Sequence, residues 1–123
     1  MTIPKFRAWF KQGSKMVNVA TIDFLEKEVK SHANVMYSFD EIELMQSTGL
    51  VDENGKEVFE GDIVKLFDKD LYVVEWSSQE ASYKLIPVDK QWSDCYFSSY
   101  ENITKIIEVI GNVWENQELV EED

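Results

Sequence analysis

The densest run of chemistry-capable side chains is Asp52, Glu53, Glu57, Glu60 and Asp62, five carboxylates gathered around Asn54-Gly55. Hard cations such as Mg²⁺ and Ca²⁺ take several oxygen ligands, and a turn can bring carboxylates together. Asp52, Glu57, Glu60 and Asp62 are therefore the candidate metal ligands, and metal-assisted phosphodiester hydrolysis is the reaction they would support. Their spacing does not follow the EF-hand loop or any other metal loop. Turn chemistry competes for the same residues, because Asp and Asn accept hydrogen bonds from nearby backbone amides and so stabilise bends. Turn chemistry is the expectation here, with no metal and no cofactor. A cysteine nucleophile would need Cys95 and His32, the sole Cys and the sole His. Reactive thiols sit in electropositive surroundings, whereas Cys95 lies in Trp92-Ser93-Asp94-Cys95-Tyr96-Phe97, so a packed side chain is expected. Nucleophile elbow, phosphate loop and triad spacings are all missing, and the chain is not expected to be an enzyme.

Aromatic side chains offer a different chemistry, that of contact. Trp76, Trp92, Tyr96, Phe97, Tyr100 and Trp114 could stack on a ligand or form an interface, or could simply fill a small β core. Trp92, Tyr96, Phe97 and Tyr100 stand within the polar stretch 89–100, which is unusual for a loop that only faces water. These four form the candidate interaction surface.

The elements that must position these residues are strands. Phe6–Phe10 alternates, 11–15 turns and Met16–Val19 returns, which predicts a first hairpin. Segment 21–30 supports either a strand or a helix, with strand preferred, and 34–38 predicts a turn entering a short strand. Ile42 and Leu44 lie on one side of the next strand, opposite Glu41 and Glu43. Asn54-Gly55 predicts a two-residue type I′ turn, and Gly61 a second sharp bend. Strands follow at 63–67, 71–76 and 83–86, where Pro87 ends the last, and at 103–110. Gly49, Gly55, Gly61 and Gly111, with Asn54, are expected as turn or bulge positions. Asn116 is expected to cap a short C-terminal helical turn, and about 117–123 to form a frayed acidic tail. The sum is a mostly β domain of antiparallel hairpins, a small barrel or a curved two-sheet domain with little helix, occupying 1–123 as a single unit.

Length and charge limit what such a domain can do. The 123 residues suit one core, and 44% hydrophobic with 13% aromatic content is too apolar for a disordered acidic tail. Twelve basic against 24 acidic residues give a net charge of −12, which opposes binding to nucleic acid or an anionic membrane. The charge is uneven: residues 1–30 carry +3 and the remainder −15. Nucleic-acid binding is thus expected only if the basic first hairpin supplies it, through Trp9, Arg7 and Lys11, while unlike ends favour a homo-oligomer. A lone Cys implies no disulfide framework, residues 1–7 lack a signal-peptide core, and no apolar run reaches the ~20 residues of a membrane span. A soluble cytoplasmic protein is expected.

Several blocks in fixed order carry a family resemblance: Lys5-Phe6-Arg7-Ala8-Trp9, Leu44-Met45-Gln46 with Thr48-Gly49-Leu50, Asp52, Asn54-Gly55-Lys56-Glu57, Glu60-Gly61-Asp62-Ile63-Val64, Glu108-Val109-Ile110-Gly111-Asn112 and Glu115-Asn116. From end to end the chain resembles the YopX family of phage and prophage proteins. That resemblance implies a β-rich protein of a bacterial host cytoplasm, with no established biochemical activity. Phe10 stands where members often have aspartate, and Ser47 where an aromatic is common. The function expected is a non-catalytic accessory module that binds protein or itself. Two alternatives stay open: an acidic, DNA-mimicking decoy of a host DNA-binding protein, using Glu53, Glu57 and Glu60, and the metal-dependent phosphodiesterase of the 52–62 cluster.

Overall fold

The structure is a computed structural model that describes residues 3–99 and 102–121. Packing divides the chain into two compact units, Met1–Ser47 and Thr48–Asp123.

In the first unit, β1 (Phe6–Phe10), β2 (Lys15–Asp23), β3 (Glu28–Ser31), β4 (Met36–Ser38) and the start of β5 (Ile42–Val51) line up in the order β4-β3-β2-β1-β5. Segment 21–30 is a hairpin: Ile22 faces Val29 across it, and Asp23 Oδ1 accepts the Leu25 and Glu26 N–H groups at 3.0 Å. The helix alternative fails because this Asx turn takes up the amides that a helix would bond. Ala8, Val29, Tyr37 and Ile42 form the core, with the Phe10 ring tilted against Tyr37 at 4.8 Å between centres, so the aromatic residue at position 10 does a packing task. Phe24 and Leu25 stay outside at the hairpin tip, 73% and 88% exposed.

In the second unit, β7 (Asp62–Leu66), β8 (Asp70–Ser77), β9 (Ser82–Pro87), β10 (Cys95–Tyr96) and β11 (Ile107–Asn112) form an antiparallel sheet in the order β10-β9-β8-β7-β11. β6 (Glu57–Phe59) borders β5, and Thr48 Oγ1 donates to the Val58 carbonyl at 2.8 Å. Val58, Val64, Leu66, Tyr72, Val74, Leu85, Ile103, Ile107 and Val109 make the core. Both strand orders are open lists with free ends, so the two-sheet form of the expected fold holds and the barrel form does not.

Three local expectations need correction. Gly55 has φ +82 but Asn54 does not share the positive region, so Asn54-Gly55 is not a type I′ turn. The Asp52 carbonyl accepts Gly55 N–H and the Lys56 carbonyl accepts Asp52 N–H, closing a three-residue loop in which only the last residue is left-handed. The type I′ geometry instead falls on Phe67 and Asp68, both at positive φ, with Lys69 N–H donating to the Leu66 carbonyl. Residues 103–105 form a 3₁₀ turn rather than the start of a strand. Asn116 precedes a 3₁₀ turn at Gln117–Leu119, yet its side chain does not cap it; Oδ1 turns back to accept the Asn112 N–H at 3.1 Å.

Candidate functional site

Asp52 and Asp62, the most buried members of the acidic run, are occupied by the backbone. Asp52 is 4% exposed, and its Oδ1 accepts the Asn54 and Lys56 N–H groups at 2.9 and 2.8 Å. Its Oδ2 accepts Val109 N–H on β11 at 2.8 Å, tying the loop to a strand 57 residues on. Burial alone would raise the Asp52 pKa, but the three N–H donors and the Lys56 charge outweigh it and hold the carboxyl below its ordinary value. Asp62 is fully buried and accepts Phe59 N–H at 2.8 Å, bracing the bend at Gly61, where φ is +87. Glu57 and Glu60 are half-buried and Glu53 is exposed. Among the described residues no three His, Cys, Asp or Glu side chains gather to hold a metal ion.

The end of β11 is a second bracket. Asn112 Oδ1 accepts the Trp114 and Glu115 N–H groups at 3.0 and 2.9 Å, and its Nδ2 donates to Glu115 Oε1 at 3.0 Å. Gly111 sits at a β-bulge, and any Cβ there would collide with the Asn116 side chain. It is this close approach, not φ, that disfavours a side chain at 111, because Asn116 would have to leave the Asn112 N–H to make room. Gly49 lies inside β5 rather than in a turn, at φ +83.

The concave surface is elsewhere, and hairpin register creates it. Trp76 on β8 and Tyr83 on β9 are directly opposed, with ring centres 5.0 Å apart in an edge-on arrangement. Around them Thr48, Leu50, Ala81, Ser82, Tyr96, Phe97 and Ser98 line a cleft of about 410 Å³, with Trp76 48% exposed. Lys84 secures the far side: its Nζ reaches Asp94 at 3.1 Å and Glu80 at 3.2 Å and lies 5.5 Å from the Tyr96 ring centre. Asp94 and then Glu80 raise the Lys84 pKa, while the hydrogen bond from Tyr96 and that from Lys84 lower the Glu80 pKa. Tyr96 is raised in turn, chiefly by Glu80. Burial and then the Glu60 charge raise Tyr83. All four shifts run in the direction that keeps Lys84 and Glu80 charged and both tyrosines neutral at neutral pH.

Of the expected interaction residues, Tyr96 and Phe97 line the cleft, Trp92 is exposed and does not line it, and Tyr100 lies outside the described residues. Trp76 moves from the general aromatic set to the centre. Tyr83 and Ser98 were not singled out by the sequence, and Thr48 and Leu50 only as part of a family block, although the symmetric placement of 76 and 83 about the 78–81 turn is the signal that pairs the two rings. Cys95 is half-buried, with Sγ 3.8 Å from the Ser93 carbonyl. In the first hairpin Arg7 is buried, while Lys5, Lys11 and Lys15 are exposed, so Arg7 does not offer its charge to a surface ligand. Divided by unit, charge is six basic and six acidic residues in 1–47, and six basic and 18 acidic in 48–123. The entire net −12 therefore belongs to the unit that carries the cleft. Among the described residues no helix is long and apolar enough to cross a membrane.

Comparison with known proteins agrees with this picture. No curated protein matches the chain significantly. The crystal structure of protein EF1440 from Enterococcus faecalis is similar over 98% of this chain and 100% of that one, at a TM-score of 0.68 and 27% identity. A family model described as YopX protein matches residues 5–121, nearly the whole sequence, and the chain belongs to the YopX protein family.

Proposed function

We propose that the chain is a non-catalytic binding module for a protein partner, acting in the cytoplasm of a bacterium that carries a phage or prophage. The cleft beside Trp76 carries this reading. It is concave and lined by aromatic rings with a few hydroxyls, the usual make-up of a binding site, and Trp and Tyr are the side chains that most often dominate interface energy. The carboxylates that would serve a metal-dependent phosphodiesterase argue the other way, because Asp52 and Asp62 already accept backbone N–H groups that a cation would have to displace. A photo-crosslinking residue at Ser98, expressed in bacteria, tests the module. A discrete protein adduct that Trp76→Ala abolishes is expected; no adduct, or one indifferent to Trp76, overturns it.

Self-association is a second reading, in which Phe24 and Leu25, exposed side by side at the β2–β3 tip, supply the apolar contact. Sedimentation at high protein concentration and low salt should show a dimer that Phe24→Ser with Leu25→Ser dissociates, and a monomer throughout removes it. An acidic decoy of a DNA-binding protein would draw on the same −12. Charge reversal at Glu53 and Glu57 separates it from the module, because neither lines the cleft, whereas Glu60 acts on Tyr83.

A further inference from the structure

Independently of the cleft, we infer that the 52–56 loop is a plug on the outer edge of β11, and that detaching it turns this edge into a self-association site for β11 of a second copy. Strand edges present rows of unpaired N–H and C=O groups and so are templates for another strand. Three of the four edges in the two strand orders offer little length, β4 and β6 with three residues and β10 with two. β11 has six. Ile106-Ile107-Glu108-Val109-Ile110 is β-branched at four of five positions and carries one charge, a composition that adds strands readily.

Alternation along β11 shows which of its groups face outward. The Ile106 carbonyl points in, accepting Phe67 N–H just beyond β7, so the Ile107 carbonyl and the Val109 N–H point out. Both are already engaged. Glu53 N–H donates to the Ile107 carbonyl at 3.0 Å, and Asp52 Oδ2 accepts Val109 N–H at 2.8 Å. The loop thus supplies what a neighbouring strand would supply, with a carboxylate oxygen in place of a carbonyl. It does not pass the ladder on, because Asp52 N–H donates to the Lys56 carbonyl and the Asp52 carbonyl accepts Gly55 N–H within the loop itself. Pairing stops there.

A second copy is the occupant that the register suits. Antiparallel pairing of two β11 strands about Val109 sets Glu108 opposite Ile110 of the second copy, so like charges do not meet. The same pairing gives each Val109 N–H a backbone carbonyl in place of the carboxylate it loses. Such a contact is two-fold and closes on itself as a dimer.

The experiment places Asp52→Asn in the full chain carrying Phe24→Ser and Leu25→Ser, so that the hairpin tip does not contribute. One amide oxygen can keep the two loop N–H groups, but the amide nitrogen then meets Val109 N–H as donor to donor, and that end of the plug lets go. Sedimentation equilibrium is expected to show self-association tighter by about tenfold or more than with Asp52 in place. Hydrogen exchange at the Val109 amide should be fast in dilute protein and slow as the dimer fills. Val74→Ala, which loosens the core and leaves the plug attached, should remain a monomer. Adding Val109→Pro to Asp52→Asn removes the outward N–H and should restore the monomer, since a sheet edge accepts proline. Should Asp52→Asn unfold, Glu53→Pro strips the other tie while sparing the carboxylate, and the same two readings decide. A monomer at every concentration, a dimer in which Val109 stays unprotected or that survives Val109→Pro, or equal dimerisation of Val74→Ala overturns the inference.

Discussion

Two regions of the second unit use polar and aromatic residues in opposite ways. In the bracket formed by 52–62 and 107–116, carboxylates and amides turn inward, and Asp52, Asp62 and Asn112 bond backbone N–H groups within their own unit. In the surface from 76 to 98, rings are left half outside and charges sit at the rim. The motif-like blocks cluster in the first region, where each residue type is dictated by a bend that few others can make. The second takes Thr48 and Leu50 from one such block, but its aromatic residues belong to none, because many aromatic combinations could line a cleft. Density of motif here marks folding constraint, and the aromatic part of the surface suited to binding lies outside it.

The sharpest way to break that contrast is at Asp52. Asp52→Ala leaves three buried or half-buried N–H groups unpaired, and a loss of roughly 3–4 kcal/mol is expected from urea unfolding. Acid dependence provides a second handle. The folded pKa lies below the unfolded value of about 3.9, so the stabilisation is complete above roughly pH 5 and disappears as pH falls through the folded pKa. Asp52→Asn should therefore be less stable at neutral pH and flatter between about pH 5 and 2. An unchanged acid limb would show that the carboxylate is not the lock described.

Gly111→Ala comes next, at about 2–3 kcal/mol, since its Cβ must push Asn116 off the Asn112 amide. In an Asn116→Ala background the same change should cost clearly less, because the obstructing group is gone. Additive losses would place the strain in the bulge backbone instead.

Hairpins were legible wherever apolar alternation stopped at polar residues, as at 6–19 and 62–77, because burying one face of a sheet demands that period. Turn type was not. Asn54-Gly55 has the best residues for a type I′ turn, yet the Asp52 carboxylate imposes a loop with Asn54 at negative φ, while Phe67 and Asp68 take the left-handed pair. A hydrogen bond from residue 109 cannot be seen in a five-residue window. The cleft escaped for a related reason: Tyr83 looks like any strand aromatic until register sets it against Trp76. Phe67→Asn with Asp68→Gly gives the turn the residues its geometry favours. The double variant should gain about 1 kcal/mol, measured as a higher urea midpoint with unchanged slope.

Trp76→Ala has the smallest expected effect on stability and separates the two regions most cleanly. With half its surface already in water and its main partner a single ring, truncation should cost roughly 1 kcal/mol, against several for the bracket. If the same variant loses tenfold or more in binding, stability and binding are carried by different residues of one sheet. A loss of 3 kcal/mol or more would mean that the indole holds Tyr83 and Leu50 in place as part of the core. The cleft would then be an incompletely filled edge of the packing, the contrast between the regions would collapse, and the hairpin tip at Phe24 and Leu25 would be left as the surface best built to touch another molecule.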